Sequence, residues 1–258
     1  MLIDGRQIAT ELKQALQKKL ATLPPKRVCF VMFQKTFAIE QFVGIKTRVG
    51  EELGLTCVLK PYDDVLDTEH AVSYIKSLAT EGFDGVVVQL PLPAGLETTA
   101  VLNAVPAEMD IDGLGYLATR LPPVALVVKT ILERYNIQTI GKNIVILGQG
   151  RLVGQPVERY FRTANIPCTV LGSEINDEYL ARLKTADIVI TGIGQPNFIK
   201  PEMIKLGVVI IDAGTSEQNG KVAGDVDPAC ADIASYMTPV PGGVGPIAVA
   251  CLYGNLLN

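Results

Sequence analysis

Residues 143–172 read NIVILGQGRLVGQPVERYFRTANIPCTVLG. An apolar run, NIVILG, ends on Gly148-Gln149-Gly150-Arg151-Leu152-Val153-Gly154. A helical segment follows, and a second apolar run, CTVLG, closes the stretch. This is the order strand, glycine loop, helix, strand, in which glycines let the backbone approach a pyrophosphate at the N-terminus of the helix. The third glycine stands one place later than in G-x-G-x-x-G, and Glu174 lies a little beyond the usual position of a ribose-binding acid. The loop taken alone does not decide its ligand.

The same alternation extends in both directions. Short apolar runs occur at RVCFVMF (27–33), LTCVLK (55–60), FDGVVVQL (83–90), ADIVITG (186–192) and GVVIIDAG (207–214), with amphipathic stretches between most of them. That pattern predicts an α/β protein with parallel sheets. The runs are apolar at consecutive positions, as expected of strands covered by helices on both faces. A turn-rich stretch, PAEMDIDGLGY (106–116), precedes the helical LVVKTILERYN (126–136), and a new β-α series starts at Gly141, so a domain boundary falls in this region. The last segment, VGPIAVACLYGNLL, reads as a helix opened by a Pro-Gly loop that returns to pack on the first domain.

Composition narrows the function classes. With 258 residues, 48% of them hydrophobic and 19% charged, the chain has ample material for a core. A net charge of -4 without a basic run argues against nucleic acid. The 5 cysteines form no C-x-x-C pair and the single histidine, His70, has no ligand cluster around it, so neither zinc nor a disulfide framework is expected. No apolar run approaches the roughly 20 residues of a membrane span, and the first residues lack signal-peptide character, so the cytoplasm is the default.

Four segments carry chemistry. Residues 37–53 read as a helix on which Ile39, Phe42, Lys46, Val49 and Leu53 share a face, placing Lys46 in an apolar stripe. Such a lysine either snorkels to water or is a desolvated amine of lowered pKa, useful in proton transfer. Gln89 ends a buried strand before two Leu-Pro pairs and faces the crevice beyond the strand ends, as a ligand contact or as a cap on loop backbone. Asp110 and Asp112 in MDIDG do not complete a calcium loop, because Leu121 stands where the closing Glu belongs. Finally, YMTPVPGGVGP (236–246) concentrates prolines and glycines as a loop needs for close backbone approach.

Together, IDGRQIA, QLPLP, DIDG, LERYNI, GKNIVILG, LVGQP, the stretch from Ala186 to Asp227 and TPVPGGVGP resemble the methylenetetrahydrofolate dehydrogenase/cyclohydrolase family from end to end. The resemblance implies two α/β domains: a folate-binding domain over 1–118 completed by a helix at 245–258, and a Rossmann-like dinucleotide domain over 119–244. It implies a homodimer, tetrahydrofolate derivatives as substrates, and NADP as cofactor with NAD as an alternative. By the same resemblance, Lys46 matches the catalytic lysine, Gln89 its hydrogen-bonding glutamine and Asp112 the carboxylate that holds the pterin. Phe42, Pro241, Gly242 and Gly243 fall at the substrate. Gly148, Gln149, Gly150, Ser173 and Thr215 fall at the dinucleotide, with Arg151 as a further phosphate donor.

Four positions depart from the family pattern. Phe42 replaces a tyrosine, Val124 to Val127 replace Thr-Pro-x-Gly, Gly148-Gln149-Gly150 replaces Gly-Arg-Ser, and Ala248 replaces a threonine. They keep two other readings open: a dehydrogenase of this fold with another substrate, and a non-catalytic relative that binds folate or nucleotide.

Overall fold

The computed structural model describes residues 1–63, 67–172, 174–218 and 221–257. The chain forms two compact units, one comprising 11–123 and 249–258, the other 1–10 and 124–248.

The first unit follows α1 (Gly5–Leu20), which starts in the other unit, with β1 (Arg27–Met32), α2 (Phe37–Glu52), β2 (Thr56–Pro61), α3 (Thr68–Ser77), β3 (Gly85–Val88) and α4 (Thr98–Asn103). Its sheet has the order β2-β1-β3 and is parallel throughout, with Val28 opposite both Cys57 and Gly85. Helix starts are set by short polar side chains: the Thr36 hydroxyl accepts from the Ile39 amide at 3.2 Å, and the Asp67 carboxylate accepts from the His70 amide at 2.8 Å. Along β1 alternate residues enter opposite cores. Cys29 and Val31 pack with Ala71, Ile75 and Val101 from α3 and α4. Val28, Phe30 and Met32 pack with Ile39 and Val43 of α2 and with Leu252, Tyr253 and Leu256 near the C-terminus. The C-terminal segment thus returns to cover this sheet, as its apolar sequence suggests. Strand β2 corrects the expectation of strands buried on both faces: it is an edge strand, and each of its residues is exposed or half-buried.

The second unit continues with α5 (Pro123–Arg134), β4 (Ile144–Leu147), α6 (Gly154–Thr163), β5 (Thr169–Leu171), α7 (Asp177–Thr185), β6 (Ile188–Thr191), β7 (Val209–Asp212), a hairpin of β8 (Ser216–Gln218) and β9 (Lys221–Ala223), β10 (Tyr236–Met237) and the first part of α8 (Val244–Gly254). Five strands form a parallel sheet in the order β10-β7-β6-β4-β5. Strands β4, β6 and β7 are buried along their whole length. The chain start lies beside β10, where the Ile3 amide donates to the Met237 carbonyl at 2.8 Å and the Met237 amide donates to Met1 at 3.0 Å. Neither this pairing nor the hairpin is announced by an apolar run, because β8, β9 and β10 have only two or three residues each. At the Thr-Pro-x-Gly departure, Pro122 precedes Pro123, which opens α5 with a φ already suited to a first helical turn. Among the described residues, no helix is long and apolar enough to cross a membrane.

Candidate active site and dinucleotide site

The buried row of α2 is Ile39, Val43, Gly50 and Leu53, and Lys46 falls between Val43 and Gly50 at the same three- and four-residue spacing. Lys46 therefore does lie in the inward-facing stripe, with Ile39, Val49 and Leu53 packed against the core as expected. Phe42 is not part of it: Val43 turns inward in its place, and Phe42 is left 48% exposed. Half-buried, Lys46 directs its Nζ to Gln89 Oε1 at 3.0 Å.

Gln89 is the first residue past β3. Its amide N–H continues the ladder by donating to the Val31 carbonyl at 2.9 Å, and Pro91 then ends the strand. The side-chain Nε2 donates to the Leu90 carbonyl at 2.7 Å. With the amide's donor side committed to backbone, its acceptor side is presented to Lys46. The backbone-capping role weighed for this glutamine is present in its bond to Leu90.

The two aspartates of DIDG divide their work. Asp110 is 4% exposed and accepts from the amides of Gly113 and Gly115, both at 2.8 Å. Burial raises its pKa from the ordinary carboxylate value. It builds the turn. This segment runs along β3, where the Val86 amide donates to the Met109 carbonyl at 2.8 Å. Asp112, two residues on and half-buried, takes no part in those turn contacts.

In the second unit a cavity of about 300 Å³ is lined by Gly148, Gln149, Gly150, Gly172, Ile193 and Gln195 among others. It opens beyond the carboxyl ends of β4, β5 and β6, where ligands of open parallel sheets bind. The glycine loop runs directly into α6, whose start carries no side-chain cap. Gly148 has a φ of +96°, which a side chain would strain, and Gln149 stands close to Gly172 across the cavity. Glycine backbone, an uncapped helix start and an apolar wall that includes Tyr179 and Phe198 fit a dinucleotide. Of the remaining expected contacts, Arg151 is half-buried in the loop and Thr215 is exposed between β7 and β8. Ser173 lies outside the described residues.

Two buried carboxylates, not anticipated from the sequence, fix the loops after β6 and β7. Asp225 accepts from the Thr191 hydroxyl at 2.7 Å and from the amides of Ile193 and Gln195 at 2.8 and 2.9 Å. Asp212 accepts from the amides of Gly214, Asp225 and Val226 at 2.9, 3.2 and 3.0 Å. Burial, reinforced by the charge of Asp225, pushes the Asp212 carboxyl up to about 6. Gly192, Ile193 and Gln195 line the cavity without having been singled out in the sequence. The available signal was Gly192, which follows a buried strand much as Gly148 does.

The Pro-Gly loop packs tightly. A Cβ on Gly5 would meet the Gly243 carbonyl oxygen, and one on Gly243 would lie 2.5 Å from the Pro239 carbonyl oxygen. Gly242 has a φ of +106°, and Pro241 is exposed. Hence the structure joins Lys46 to Gln89 directly, with Asp112 in the same unit. It gathers Gly148, Gln149 and Gly150 around one cavity, and it places Pro241, Gly242 and Gly243 in the second unit.

Comparison with known proteins agrees with this architecture. The tetrahydrofolate dehydrogenase/cyclohydrolase catalytic domain matches residues 3–112, and the NAD(P)-binding domain of the same enzymes matches residues 122–258. The bifunctional protein FolD of Staphylococcus aureus (strain Newman) is 32% identical, over 99% of this chain and 95% of its own. The solved structure of the bifunctional FolD enzyme from Campylobacter jejuni is 27% identical with a TM-score of 0.92, covering 100% of this chain and 97% of that one. The Trypanosoma brucei dehydrogenase-cyclohydrolase, solved with NADP and an inhibitor, is 28% identical with a TM-score of 0.91, covering 100% and 96%. This chain therefore belongs to the tetrahydrofolate dehydrogenase/cyclohydrolase family, enzymes with an NAD(P)-binding domain that oxidise methylenetetrahydrofolate and hydrolyse the methenyl product.

Proposed function

We propose that this chain performs both reactions through Lys46, Gln89 and Asp112, with NADP as its oxidant and a homodimer as its working form. The observation that carries the assignment is the 3.0 Å hydrogen bond from Lys46 Nζ to Gln89 Oε1 at the end of a parallel strand. Held at Gly148 to Gly150, NADP would supply the hydride acceptor for the methylene carbon, whose oxidation gives a methenyl cation stabilised by both flanking nitrogens. That step needs alignment more than a base. Phe42, exposed one helical turn before Lys46, offers an aromatic face for stacking, and Asp112 accepts hydrogen bonds from the pterin. In the second reaction water adds to the methenyl carbon and gives up both its protons, one to the ring nitrogen whose bond to that carbon breaks and one to solvent, which leaves the formyl carbonyl. Lys46 carries the proton, while Gln89 holds the amine in place. The glycine loop, Gly148 to Gly150, receives the pyrophosphate at the start of α6, and Pro241 to Gly243 contact the substrate.

The test is a spectroscopic assay of methenyl formation and decay with purified protein. Because Phe42 lacks the hydroxyl that the family's tyrosine places near the lysine, the native protein is expected to oxidise faster than it hydrolyses, so that methenyl product accumulates. Phe42→Tyr is expected to speed hydrolysis and leave oxidation nearly unchanged. Equal hydrolysis rates in the two proteins would reduce Phe42 to a stacking surface.

The cofactor loop has its own test. A charged hydrogen bond to phosphate is worth about 1.5 to 3 kcal/mol, or roughly ten- to a hundredfold in affinity, and Gln149 supplies none. Glu174 is exposed just beyond β5 and opposes a phosphate there. The ratio of kcat/KM for NADP to that for NAD is expected to stay below about a thousand. A larger ratio would mean that another cation holds the phosphate.

A further inference from the structure

Tyr253 has the largest of the fully buried side chains, and its hydroxyl donates to the Lys46 carbonyl oxygen at 2.5 Å. That carbonyl lies inside α2, where a helix backbone is normally closed to side chains by its own Cβ atoms. The opening is Gly50, one turn further on. A Cβ there would stand 2.6 Å from the phenol oxygen and 2.4 Å from Cys57 Sγ, so only glycine lets the phenol reach the helix. Burial moves the phenol's pKa far up, which keeps it a neutral donor, and the Gly50 backbone N–H faces the same oxygen. Cys57 Sγ closes the remaining side at 3.9 Å.

We infer that Tyr253 is a positioning residue for Lys46: by fixing the Lys46 carbonyl it sets the point from which Nζ meets Gln89 Oε1. The main chain of α2 is held at this residue from a separate segment, near the C-terminus. Without the bond, the main chain at Lys46 loses its tie to the C-terminal segment, and the amine's reach toward Gln89 and the substrate varies. The inference rests on the role proposed for Lys46 as proton carrier.

Tyr253→Phe keeps the buried ring and removes only the hydroxyl. It is expected to lower kcat for methenyl hydrolysis about five- to tenfold, the range for one lost hydrogen bond. KM for the folate should stay within about twofold and the oxidation rate should fall less, as expected when one bond affects proton transfer more than alignment. The pH profile of hydrolysis should shift as well, which loosened packing elsewhere would not cause. Gly50→Ala displaces the phenol from the helix side and is expected to give the same selective loss. It carries the test should Tyr253→Phe fail to fold. Cys57→Ala removes the phenol's other neighbour without touching Lys46 and should change neither rate. Unchanged hydrolysis and an unchanged pH profile in Tyr253→Phe, with Lys46→Ala inactive, would overturn the inference while leaving the lysine's role intact. An equal loss in Cys57→Ala would also overturn it, by assigning the effect to packing. An active Lys46→Ala would instead remove the reading on which it rests.

Discussion

Lys46→Ala is expected to lower methenyl hydrolysis by about a hundred- to ten-thousandfold, the range that general acid-base assistance supplies. Lys46 is the amine that the structure places on Gln89 Oε1, and alanine leaves that acceptor without its partner and the incoming water without a proton carrier. Oxidation should also fall, by about a hundredfold, because a misplacement of about 1 Å between reacting groups costs that much. Stability should change little, since Lys46 is only half-buried and alanine suits a helix interior. Single-turnover traces of methenyl formation and decay separate the two losses. A folded Lys46→Ala protein with unchanged turnover in both reactions would move the proton carrier elsewhere. Gln89→Ala should follow the same pattern less completely, since it leaves the amine but removes the acceptor that directs it. Unchanged kinetics there would leave Gln89 as a strand-end cap.

Much of this was legible in the sequence because the responsible residues are local. Consecutive apolar runs mark β4, β6 and β7, whose side chains are buried on both faces, and prolines or glycines mark where each strand must stop. Lys46 is legible because three- and four-residue spacing is a property of the helix itself. The spacing left one ambiguity: Ile39 is followed at plus three by Phe42 and at plus four by Val43, and either can continue an apolar row. Packing against Phe30 and Tyr253 chooses Val43, information that no window on α2 contains. The same limit hid Tyr253 and the Asp212 and Asp225 pair. Tyrosine in an apolar C-terminal segment reads as filler, and its partner carbonyl lies 207 residues away. Asp225 reaches its partners across 30 to 34 residues.

The glycine loop offers the other large effect, because two glycines in different surroundings, Gly150 and Gly154, sit four residues apart in sequence. A Cβ on Gly154 would overlap the Gly148 carbonyl and lie 3.0 Å from Gln149 Cα, and these are backbone atoms that cannot swing aside. A Cβ on Gly150 would meet nothing within 4 Å. This accounts for the spacing of the third glycine, which is fixed by where the start of α6 crosses the loop after β4. Gly154→Ala is thus expected to destabilise the protein by roughly 3 kcal/mol or more, at the upper end of overpacking costs, and to abolish saturable cofactor binding. Gly150→Ala should leave the melting temperature nearly unchanged. Its cost should appear only when the dinucleotide arrives, because the methyl would enter the space proposed for the pyrophosphate, raising KM for the cofactor while KM for the folate holds. Thermal unfolding of both variants, with and without dinucleotide, reads the two effects separately. If Gly154→Ala melts like the native protein, the close approach of α6 to the loop is relieved at little cost. If Gly150→Ala binds the cofactor normally, the pyrophosphate does not rest on this part of the loop.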